Sequence, residues 1–106
     1  MSTYLDEHAA AIKDQVDEAA TPPPDSEYLF VLYAVLLRVK GASVTSADVH
    51  DAWSAWMQLT NPDHKALKPF EQLEPQTQRE DDVYAEAIRR AHRLMCDSDG
   101  SGADRS

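Results

Sequence analysis

Ten consecutive apolar residues, Tyr28 to Leu37, sit near the middle of the chain, and their flanks decide what they become. The block is about half the length a bilayer-spanning helix needs, so it is a core element and not a membrane segment. Asp25 or Ser26 precedes it as a helix cap. Arg38 and Lys40 suit the negative end of a helix dipole, and Gly41 stands where a positive φ is wanted. A buried strand would be shorter and would lack both caps, so the spacing predicts a helix over 27–40. Apolar on nearly every side, it is expected to be the most buried element.

Punctuation divides the rest. Upstream, Leu5, Ala9, Ile12, Val16 and Ala19 recur at helical spacing on an acidic rod, which stops at Thr21-Pro22-Pro23-Pro24. Downstream, Thr45-Ser46-Ala47-Asp48 has the pattern of a capping box, with Asp in place of the longer Glu. Val49, Ala52, Trp53, Trp56 and Met57 then mark a third helix that ends at Asn61-Pro62. Leu67, Phe70 and Leu73 pin a connector at intervals of three, the spacing of short helical turns. Pro75 opens a fourth helix with Tyr84, Ala87, Ile88, Ala91, Leu94 and Met95 facing inward and Arg89, Arg90 and Arg93 near its C-terminal end. No stretch alternates with period two. The expected fold is all-α, a compact bundle of four helices with a proline-punctuated connector. One domain spans 1–96: an acidic helix over 1–20, a proline linker over 21–24 and a core over 25–96. Residues 97–106 carry almost no apolar side chain and read as a disordered tail.

Charge and cysteine usage exclude some functions. The 106 residues contain 10 Lys and Arg against 19 Asp and Glu, a net charge of −9, which repels polyanions and argues against direct DNA or RNA binding. A single cysteine, Cys96, precludes an intramolecular disulfide and suits a reducing cytoplasm. Met1 to Glu7 is polar and acidic, unlike a secretory leader.

No catalytic set converges. His8, His50, His64 and His92 lie in four different elements, without an H-E-x-x-H pair and without a second Cys for zinc. Ser54 has no flanking glycines of a nucleophile elbow, and Cys96 sits where ordered structure is expected to give out. Asp97-x-Asp99-x-Ser101-Gly102 copies the opening of a calcium loop, but the acidic twelfth position is missing. No metal, cofactor or turnover is therefore expected. Trp53 and Trp56 are core candidates by spacing, yet His50 lies one turn before Trp53 and can share its edge of the helix. An imidazole beside an indole suits a flat, polar-rimmed ligand, and Lys65, Lys68 and the cluster at Arg89 can supply cations for a phosphate.

The run His50-Asp51-Ala52-Trp53 resembles the H-x-x-W element of the ryanodine-receptor-type repeat domain. His64-Lys65-Ala66-Leu67-Lys68-Pro69-Phe70-Glu71-Gln72-Leu73 is similar to that family's H-P-x-L-x-P-[Y/F]-x-x-L element, with Lys65 in place of proline, and Gln78-Arg79-Glu80-Asp81 resembles the polar stretch that follows. The likeness covers about residues 45–93 and lacks the family's G-W-x-Y-G segment. The chain also looks like small proteins of actinobacteria and their phages. The resemblance implies a small helical module whose cleft takes a nucleotide-like molecule, with His50 and Trp53 lining it and His64 and Phe70 anchoring the connector along one side. The expected ligand-binding set is thus His50, Trp53, Trp56, His64, Lys65, Lys68 and Arg89. The alternative expectation is an interaction module, docking on a protein partner or a second copy through residues 1–20.

Overall fold

The computed structural model describes residues 3–16 and 22–103, and among them every regular element is helical. Four α-helices, α1 (Tyr4–Gln15), α2 (Glu27–Lys40), α3 (Ser46–Thr60) and α4 (Pro75–Ala103), pack together, with 3₁₀ turns at Gly41–Ser43 and Phe70–Gln72. The bundle is all-α, as the periodicities require.

Two capping boxes start helices. Thr3 Oγ1 accepts from the Asp6 amide while Asp6 accepts from the Thr3 amide, and Thr45 and Asp48 repeat the arrangement at the head of α3. Burial alone would raise the Asp48 carboxyl, but hydrogen bonds from Thr45 and the Lys40 ammonium outweigh it and hold the pKa below its ordinary value. The Lys40–Asp48 pair, 3.1 Å apart, ties the end of α2 to the start of α3. Ser26 holds the cap position of α2 without a side-chain cap bond. Gly41 closes α2 with φ +55°, and a Cβ there would come 2.7 Å from Nε2 of His92.

The core forms where the helices meet: Ala9 and Ile12 from α1, Leu29, Phe30, Tyr33, Ala34 and Leu37 from α2, Val44, Val49 from α3, and Ala85, Ala87, Ile88 and Ala91 from α4. The first helix is therefore part of the domain, packed on α2 and α4 through its apolar stripe. It ends at Gln15 with Val16 as its cap, and Ala19 lies outside the described residues.

Among the described residues α2 carries the most buried side chains of the four helices, as expected, while Tyr28, Val35 and Val39 face outward. Uniform apolarity cannot say which side of a helix its neighbours will cover. One sequence expectation needs correction: Leu94 is exposed while Ala85 takes an inward position. α4 is described as far as Ala103, and 104–106 lie outside the described residues.

Candidate functional site

α2, α3, the connector and the first turns of α4 enclose a recess of about 820 Å³. Leu29 and Tyr33 come from α2, His50 and Trp53 from α3, His64, Lys65 and Ala66 from the connector, and Arg79, Glu80, Asp81 and Tyr84 from α4.

His50 organises this region from underneath. It is only 2% exposed, and its Nε2–H donates to the Lys68 carbonyl at 2.6 Å. A carbonyl can only accept, so that bond places a proton on Nε2 and turns Nδ1 toward Oδ2 of Asp81, 3.5 Å away. Oδ2 is buried and has no hydrogen-bond partner. Burial pushes the Asp81 carboxyl up to about 6, against the pull of His50 and with a further push from Glu80 and Asp82. Tyr33 and Tyr84 stand close by, their rings 5.8 Å apart, and burial raises both phenols, so each stays protonated near neutral pH. Near neutral pH the two phenols are uncharged, and the Asp81 carboxyl takes up its proton once the pH falls below about 6.

The wall is aromatic. Trp53 stacks on His50 with centroids 5.6 Å apart and planes 19° from parallel, and His64 meets the indole edge-on at 5.0 Å. His64 Nδ1 accepts from the Ala66 amide at 3.1 Å, so the neutral ring carries its proton on Nε2. That Nε2–H has no protein partner among the described residues and is the donor this wall can offer a ligand. Lys65 and Arg79 add cations on the same recess, neither paired to a carboxylate among the described residues.

The expected site residues divide. Trp53, His64 and Lys65 line the recess with His50. His50, expected to bond a ligand, instead uses both ring nitrogens within the protein and positions the connector. Trp56 packs against the core, because three residues further on it points about 60° away from Trp53. Lys68 contributes its carbonyl, while its side chain is exposed and off the recess. Arg89 is elsewhere: Nη1 donates to the Val44 carbonyl at 2.6 Å and Nη2 to Glu86 at 3.1 Å. Arg90 and Arg93 also pair with Glu86, in mid-helix and not at a helix end, because α4 continues beyond them.

Residues 3–93 match the family described as Domain of unknown function (DUF7701). The chain belongs to the DUF7701 family. No curated protein and no solved structure matches it. The matched span takes in α1, the connector and every recess residue named above, so the DUF7701 unit is the whole bundle and not the region 45–93 alone.

Among the described residues of this DUF7701 domain, no three His, Cys, Asp or Glu side chains are grouped to hold a metal ion. No described helix is long and apolar enough to cross a membrane. Sequence reasoning missed Asp81, Tyr33, Tyr84 and Arg79. Asp81 had a readable signal: it falls three residues before Tyr84 and seven before Ile88, on the inward stripe of α4, where a carboxylate is out of place unless it has a task.

Proposed function

We propose that this DUF7701 domain is a non-enzymatic binding module for a flat, nucleotide-like small molecule, held in the recess between α2, α3, the connector and α4. Trp53, His64, Lys65 and Arg79 share one recess of about 820 Å³, and that convergence supports the reading. A planar ring lies against the exposed part of the half-buried Trp53, where stacking is worth about 1–3 kcal/mol. His64 Nε2–H donates to a ring acceptor, and Lys65 and Arg79 face an anionic group, focusing positive charge on a protein that is otherwise strongly acidic. The resemblance to the ryanodine-receptor-type repeat agrees in ligand class, and a lone exposed thiol at Cys96 suits a cytoplasmic setting.

Titration calorimetry with a panel of adenine, guanine and cyclic nucleotides tests the reading, with indole fluorescence recorded in a Trp56→Phe background so that only Trp53 reports. Heat and quenching from at least one member are expected, with affinity falling about tenfold or more in Trp53→Ala, the loss of one stacking contact. A silent panel, or a ligand whose affinity ignores Trp53→Ala, overturns it.

A further inference from the structure

We infer that the outward face of α2 is a self-association surface, on which two copies of this chain pair their α2 helices antiparallel about a two-fold axis lying between Leu32 and Val35. Tyr28, Leu32, Val35 and Val39 follow one another at steps of four, three and four, the spacing of a coiled-coil seam. The seam lies on the side of α2 opposite Leu29, Tyr33 and Leu37, which are buried. Tyr28 is 55% exposed, Val35 41% and Val39 74%. Tyr4 of α1 extends the strip, with its ring 4.8 Å from the Arg38 guanidinium. Of the six large apolar side chains left exposed among the described residues, these four lie on α2 or beside it, which makes the strip a patch and not a scatter.

A second copy is the occupant that the strip itself specifies. Read from either end the seam pairs with itself: Tyr28 with Val39, Leu32 with Val35. An antiparallel pair sets each large ring of Tyr28 against the small partner's Val39, whereas a parallel pair stacks ring on ring and leaves a gap where valine meets valine. Charge makes the same choice. Glu27 occupies the first turn of α2 and Arg38 its last, so antiparallel packing brings the acidic end of one helix to the basic end of the other. It also opposes the two helix dipoles. An isologous contact of this kind closes at two and does not propagate. The surface is one helix seam and a tyrosine, at the small end for a specific interface, so association belongs in the range of about 10 µM to 1 mM. Because Leu29 and Tyr33 reach the recess from the other side of α2, pairing leaves the recess open, and the inference stands or falls apart from ligand binding.

Sedimentation and small-angle scattering over that concentration range test it. The expected result is a mass rising from 11.8 kDa toward twice that value, and a return to monomer in Val35→Glu with helicity and melting temperature unchanged. Should Val35→Glu disturb folding, Val39→Glu, at the more exposed position, repeats the measurement. Direction is read by oxidative cross-linking of Tyr28→Cys and Val39→Cys, each in a Cys96→Ser background. An equimolar mixture is expected to cross-link at least about tenfold more than either variant alone, because facing Cα atoms must come within about 7 Å. A chain that stays monomeric throughout, a dimer indifferent to both glutamates, or a Tyr28→Cys variant that cross-links with itself as well as it does in the mixture overturns the inference.

Discussion

Nδ1 of His50 and Oδ2 of Asp81 face each other across 3.5 Å beneath the recess. The opposite nitrogen of the same imidazole is spent on the Lys68 carbonyl. With the Nε2 proton spent on that carbonyl, the Nδ1 lone pair confronts Oδ2, and burial favours the protonated carboxyl of Asp81.

The first prediction concerns pH. Asp81 ionises at 3.8 in a free chain and at about 6 in the fold, so between those values the folded state binds more protons than the unfolded one. Its contribution to stability is complete below about pH 4 and is lost as pH rises through 6. Urea denaturation of wild type and Asp81→Asn at a series of pH values isolates the effect. Relative to the variant, wild type is expected to lose on the order of 1–3 kcal/mol between pH 4 and 7. A difference that stays flat over that window refutes the assignment.

Removing the imidazole is expected to free the connector. His50→Ala strands the Lys68 carbonyl and the Asp81 carboxyl in a buried setting, at a cost of about 2–4 kcal/mol. Because Lys65 is exposed and is followed by Ala66, trypsin reports the change directly: cleavage after this lysine should accelerate in the variant. Unchanged proteolysis would mean that Phe70, Leu73 and the bond from Gln78 Nε2 to the Phe70 carbonyl hold the segment alone.

How much of this was readable beforehand depends on whether a feature is local. The head of α3 was plain from Thr45 and Asp48, because a capping box is written within four residues. The end of α2 was plain from Gly41, which adopts a positive φ. Trp53, His64 and Lys65 line one recess. The role of His50 was not legible, since its partners are a main-chain carbonyl 18 positions away and a carboxylate on another helix. Arg89 misled for a related reason: a cluster of arginines looks free until Glu86 and the Val44 carbonyl are seen beside it.

Arg89 is accordingly predicted to matter for stability and not for ligand. Arg89→Ala removes the charged donor from the Val44 carbonyl and should cost about 1–3 kcal/mol in chemical denaturation. Nucleotide affinity by calorimetry should stay within about twofold of wild type, a change smaller than 0.5 kcal/mol. A large loss of affinity with intact stability would restore the arginine to the site.

At Gly41 two penalties combine, and a double-mutant cycle separates them. Gly41→Ala imposes a positive φ on a residue with a Cβ and drives that carbon into the His92 ring, 2.7 Å from Nε2. A loss of about 2 kcal/mol or more is expected. Adding His92→Ala should recover the steric part and leave the dihedral cost of about 1 kcal/mol. Full recovery would show that the backbone conformation itself is unstrained.

The bond that fastens the connector to His50 ends on a main-chain oxygen, an atom that all twenty amino acids supply equally. Position 68 can therefore change its side chain while the fastening persists, and neighbouring Lys65 is exposed and equally replaceable. The segment behaves as an interchangeable faceplate on a constant frame: altering residues 65 and 66 re-tunes what the hollow admits, with the helices behind it left undisturbed.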